Sequence, residues 1–165
     1  MNRAQNELES ELVAGLKDSL AESTKPPDAY AQALNLLRSF AAEVQSSLAK
    51  GPKAHIAGLT VNVERGHVVN MGVEHRVVIN APEAGISDVL LRAYLPVDGL
   101  PVTLDTLGDE DQECKSHEEL VQALVAIPRH PAIAARLRII RQVLGDPALQ
   151  QAAKVVATVK PRRPR

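Results

Sequence analysis

Apolar positions along this chain recur with two different periods, and the switch between them divides it into helical and extended parts. Over about residues 4–22, Leu8, Leu12, Val13, Leu16 and Leu20 follow the three-and-four spacing that lines one face of an α-helix. Glu7, Glu9 and Glu11 fall early in it, where the helix dipole favours negative charge. Pro26 and Pro27 cannot continue that helix. A second helix is predicted from about Asp28 to Lys50, with Tyr30, Leu34, Leu37, Phe40, Ala41, Val44 and Leu48 on one stripe and Gly51-Pro52 as its stop. Two such helices joined by a short loop form an αα-hairpin.

From His55 the period falls to two. Leu59, Val61 and Val63 alternate with Thr60, Asn62 and Glu64, Arg65-Gly66 reads as a turn, and His67–Asn70 as a short return strand. Val73, His75, Val77 and Ile79 alternate with Glu74, Arg76 and Asn80 in a further strand, which puts His75 inward, where it needs a hydrogen-bond partner. Asp98-Gly99 between two alternating runs is a strong hairpin signal. As a two-residue turn it pairs Val97 with Leu100, Leu95 with Val102, Ala93 with Leu104 and Leu91 with Thr106. Val89, Leu91, Ala93, Leu95, Val97, Leu100, Val102 and Leu104 then share one apolar face, while Arg92, Tyr94, Thr103 and Asp105 point the other way. Short connections between such strands imply an antiparallel meander of four or five strands.

Ser116 followed by Glu119 is a capping-box signature for a helix carrying Leu120, Leu124 and Ile127 and ended by Pro128. Pro131 suits the first turn of another, with Ile133, Leu137, Ile140 and Leu144 inward and Gly145 as its stop. Asp146-Pro147 opens a last helix to about Val159. The expected fold is α+β: an N-terminal αα-hairpin (1–51), a core (52–159) of antiparallel meander with two to three C-terminal helices packed on the sheet, and a disordered basic tail (160–165).

Composition narrows the function. Apolar residues make up 45% of the 165, enough for a folded core, but that core must be aliphatic because Tyr30, Phe40 and Tyr94 are the only aromatics. Aromatic cages and base-stacking platforms are thereby excluded. Cys114 stands alone, so neither an intrachain disulfide nor a multi-cysteine zinc site is expected. With no signal-like apolar segment and no run of membrane-spanning length, a cytoplasmic location is expected. The richness in Ala, Leu and Arg suggests a bacterial source.

Charge is unevenly spread. Residues 105–119 carry seven acidic side chains against Lys115, and residues 129–165 nine basic ones against Asp146. Asp105, Asp109, Asp111 and Glu113 supply oxygen ligands of the kind calcium or magnesium takes, but not at EF-hand spacing. A solvated loop is the expectation, with no metal and no cofactor. Cys114 and His117, near a helix start, are the only nucleophile–base candidate, and no third residue identifies itself as their orienting partner. No phosphate-cradling loop, nucleophile elbow or HExxH is present.

The leading expectation is a non-catalytic protein–protein binding or assembly module: a small adaptor, chaperone-like protein or accessory subunit. It would self-associate through the N-terminal helices, whose stripe of Leu8, Leu12, Leu16, Leu37, Phe40 and Val44 has little free sheet to cover it. Packing of that stripe inside its own chain is the opposing reading. The second expectation is an anion- or nucleic-acid-binding accessory protein using Arg136, Arg138, Arg141, Arg162 and Arg163. A small enzyme using Cys114 and His117 comes third.

Overall fold

The chain folds as an α+β protein in a computed structural model that describes residues 3–22, 28–50, 58–107 and 111–158. Helices α1 (Arg3–Glu22) and α2 (Ala29–Ala49) precede strands β1 (Thr60–Val69), β2 (Gly72–Ala81), β3 (Ile86–Pro96), β4 (Val102–Asp105) and β5 (Gln112–Cys114). Helices α3 (His117–Ala126), α4 (Pro131–Gly145) and α5 (Pro147–Thr158) follow, with single 3-10 turns at Pro82–Ala84 and Ile127–Arg129. Pro26, Pro27, the Gly51-Pro52 stop and the basic tail 160–165 lie outside the described residues.

The helix boundaries follow from their caps. Asp28 is the N-cap of α2, its carboxylate accepting from the Ala31 N–H at 2.6 Å. Ser116 caps α3 by accepting from the Glu119 N–H at 3.1 Å, and the Glu119 carboxylate reaches back to the Lys115 N–H at 2.6 Å. Among the described residues no helix is long and apolar enough to cross a membrane.

The five strands form one antiparallel sheet in the order β1-β2-β3-β4-β5, so β1 and β5 are its edges. One face carries Val61, Val77, Ile79, Leu91, Ala93, Leu95, Val102 and Leu104 into a single core shared with α1 through α4. The other carries Asn62, Glu64, Glu74, Arg76, Arg92, Tyr94, Thr103 and Asp105. Helix α2 lies over β1, β2 and β3, while α1 packs on α2, α3 and the 127–129 turn instead of the sheet. Stacking α1 on the helical layer removes the crowding that the sequence implied. Leu12, Leu16, Leu20, Leu36, Leu37, Phe40 and Val44 are all buried. Each such side chain stabilises the fold by about 1.5–3 kcal/mol relative to leaving it in water.

Four local features depart from the sequence reading. Arg65-Gly66 is not a turn: β1 runs through it with a bulge between Arg65 and Val68, and the chain reverses at Asn70-Met71, with Asn70 at φ 50°. A Cβ at Gly66 would lie 2.7 Å from the Glu74 carboxylate, so a side chain there would require only that flexible glutamate end to move. The β3–β4 hairpin keeps the expected register, pairing Ala93 with Leu104, but its connection is longer than two residues. Gly99, at φ +85°, donates to the Pro96 carbonyl at 2.8 Å, and Pro101 has no N–H with which to extend the ladder. Val97 therefore leaves the apolar face and is 67% exposed. Finally, a bulge in β3 pairs Val77 with Leu91 but Val78 with Val89, which turns Val89 off the inner face and leaves Leu90 as the extra, fully buried residue. Residues 112–114, expected as part of an acidic loop, form β5.

Candidate functional site

Of the basic cluster expected on α4, Arg136 is committed to contacts within the fold. Arg136 turns inward to the β3 bulge, where one guanidinium nitrogen pairs with the Asp88 carboxylate at 2.6 Å and donates to the Val89 carbonyl. The other donates to the Leu90 carbonyl at 3.5 Å. A bulge takes backbone groups out of the ladder, and this side chain satisfies them. Arg138 is exposed and Arg141 half-buried, while Arg162 and Arg163 lie outside the described residues.

The thiol and imidazole are likewise occupied. Cys114 is fully buried, and burial, then the Glu119 carboxylate, pushes its thiol up to about 11. It is a thiol, not a thiolate, at neutral pH. His117 donates from Nε2 to the Ala29 carbonyl at 2.9 Å, which ties the start of α3 to the start of α2. In the acidic segment, Asp105 accepts from the Leu107 N–H at 2.7 Å and lies 3.9 Å from Arg92. Asp109 and Glu110 are outside the described residues, Asp111 and Glu113 are exposed, and no group of three or more metal-ligating side chains converges among the described residues.

The proposed interface stripe of Leu12, Leu16, Leu37, Phe40 and Val44 is inside the single chain, and the Leu8 side chain is outside the described residues. His75 finds the partner its inward position demands. Its Nε2 and the Tyr30 hydroxyl are hydrogen-bonded at 2.8 Å, with the rings edge to face at 6.0 Å. Burial, then the cations Arg65 and Arg38, hold its pKa below the usual histidine value.

Among the described residues, the edge of the sheet at β1 is open. An open groove of about 670 Å³ runs between β1 and the flank of α2, floored by Val61 and Val63 and walled by the small side chains Ala42, Ser46 and Ala49. Its position follows from the pleat. Val61 and Val63 oppose Ile79 and Val77, and the Val61 N–H is accepted not by β2 but by Gln45 Oε1 of α2, at 2.9 Å. In an antiparallel ladder the residues of alternate pairs point their N–H and C=O groups away from the partner strand. Val63 and Arg65, in the same register, therefore present theirs outward at the edge. Gln45 closes one end of this stretch and the bulge after Arg65 bends the other. Arg38 stands on the α2 wall and Arg65 lies on β1 two residues past Val63, and both act electrostatically on His75; both are exposed and neither makes an ion pair with a described residue.

The far end of β1 adds an apolar tip. Val68 (67% exposed), Val69 and Met71 (80%) lie in and beside the hairpin turn, and Val97 joins them by donating its N–H to the Met71 carbonyl at 3.0 Å. Sequence reasoning missed this surface because it treated 55–70 as a strand and its return. The small residues on the second face of α2 were legible, but that β1 is an edge was not. No family model matches the chain, and comparison with curated proteins and with solved structures gives no match.

Proposed function

We propose that this chain is a non-catalytic protein-binding module that captures an extended segment of a partner along β1. The outward backbone groups of Val63 and Arg65, set beside a groove of small side chains on α2, carry this reading. An added strand gains main-chain hydrogen bonds from such an edge and places alternate side chains in the groove. Natural sheets blunt long exposed edges with prolines, charges or covering elements. Among the described residues, Gln45 covers this edge at Val61. The nucleophile–base pair and the α4 arginines give no competing support, since Cys114 and Arg136 are committed to the fold.

Selection of a random-peptide display library on the full chain tests the reading. The expected result is enriched peptides that lose binding to Val63→Pro, which removes an outward N–H without removing one from the β1–β2 ladder. N-methylation of alternate peptide residues should abolish binding to the unaltered protein, which keeps the test independent of how the proline variant folds. No enriched peptide, or binding indifferent to both changes, would overturn the proposal.

A further inference from the structure

We infer that the segment captured along β1 is acidic, with a carboxylate side chain seated between Arg38 and Arg65 and an apolar side chain two residues away in the groove. The inference rests on the binding reading above and adds the partner's chemistry to it.

The argument begins with register. A guest residue opposite Arg65 points its side chain to the same sheet face as Arg65, toward α2. On that side stands Arg38, on the wall of the same groove. Two cations so placed repel each other, and a carboxylate between them relieves the repulsion and accepts charge-assisted hydrogen bonds from both. No described residue supplies such a carboxylate. No acidic residue lines the groove, Glu64 points to the opposite face beside Arg76, and Glu43 is turned toward Ser19 and Gly15 of α1. His75, cross-strand neighbour of Arg65, is held by Tyr30 and adds no negative charge.

The next inward guest residue lies opposite Val63 and over the small side chains at Ala42 and Ser46, where there is room for a branched aliphatic group. Continued past the bulge, the guest meets Val68, an inward-facing valine left 67% exposed. The fitting sequence is thus extended and alternating, acidic at one inward position and aliphatic at its neighbours. A second β1 edge fits poorly, because it would bring further copies of Arg38 and Arg65. Single-stranded nucleic acid fits poorly too, since neither a stacking ring nor a phosphate-spaced row of cations lines the groove.

Fluorescence anisotropy with three short labelled peptides tests this: alternating valine and threonine, carrying glutamate, glutamine or lysine at the central inward position. The glutamate peptide should bind at least about tenfold more tightly than the lysine peptide, consistent with one charge-assisted contact. That preference should weaken with salt, vanish in Arg38→Ala/Arg65→Ala, and reverse in Arg38→Glu/Arg65→Glu. Both arginines are exposed, so these variants leave the core intact. Equal affinity for all three peptides, with binding still lost in Val63→Pro, would overturn the acidic inference and leave the binding reading standing. Binding of none of them would also overturn it, and the display selection then decides the binding reading separately. Concentration-dependent self-association abolished by Arg65→Glu would overturn it in favour of a second copy, whose β5 edge carries Glu113 with Asp111 just before the strand.

Discussion

Arg136→Ala is the substitution that most sharply separates a structural arginine from an anion-binding one. The side chain is partly buried, and its three contacts are unequal. The charge-assisted bond to the Val89 carbonyl is worth about 1.5–3 kcal/mol. The 3.5 Å approach to Leu90 adds little. The ion pair with Asp88 is 2.6 Å long, but its members retain 27% and 36% of their side-chain exposure, so solvent screens it to about 0–1 kcal/mol. Together these predict a loss of about 1.5–4 kcal/mol, and a midpoint lower by about 3–16 °C for a domain of this size. Urea denaturation followed by circular dichroism measures it. Asp88→Ala alone should cost less than about 1 kcal/mol, and most of the Arg136→Ala loss should persist in the double variant. Arg138→Ala, on the exposed face of the same helix, should stay within about 0.5 kcal/mol. A loss below about 0.5 kcal/mol for Arg136→Ala would refute the idea that this guanidinium holds the bulge.

The remaining expectations concern the core and its two buried titrating groups. Leu95→Ala should cost about 2–5 kcal/mol in the same denaturation assay, because Leu95 is fully buried at the centre of the sheet. Tyr30→Phe should cost about 1–3 kcal/mol, since it leaves the His75 imidazole without its partner. Because the folded-state pKa of His75 lies below its unfolded value, its contribution is present above about pH 6.5 and lost as pH falls through the folded value. The stability curve of His75→Gln should therefore be flatter in that window. Cys114 should resist iodoacetamide at neutral pH in the folded chain and react only at the rate of unfolding. Its raised pKa means that stability is full below about pH 9 and falls as pH rises toward 11. Rapid labelling of native protein would contradict the burial of that thiol.

Much of the fold is written in local pattern, and most of the surface is not. Helix stripes, the Asp28 and Ser116 caps and the pairing of Ala93 with Leu104 follow from spacing and turn chemistry that act within a few residues. The bulges at Gly66 and Leu90 do not, because an extra residue in one strand is defined only against its partner. The fate of the leucine stripes was equally non-local. Leu12 and Leu16 read alike whether they face another chain or the second layer of helices, and the stacking of α1 on α2 and α3 decides it. Arg136 looked like one member of a basic patch until Asp88 and the β3 bulge lay beneath it. The groove was the least visible of all. Its small wall residues are ordinary helix formers, and nothing in the sequence of Thr60–Val69 says that this strand ends the sheet.

The binding role of the β1 edge is tested most directly by amide hydrogen exchange, read residue by residue with and without a display-selected peptide. In the free chain the amides of Asn62 and Glu64, which point into the β1–β2 ladder, should exchange slowly, and those of Val63 and Arg65 fast. Bound peptide should slow Val63 and Arg65 at least about tenfold while leaving the β5 amides unchanged. Peptide binding that leaves Val63 and Arg65 exchanging at their free rates would contradict strand addition at this edge.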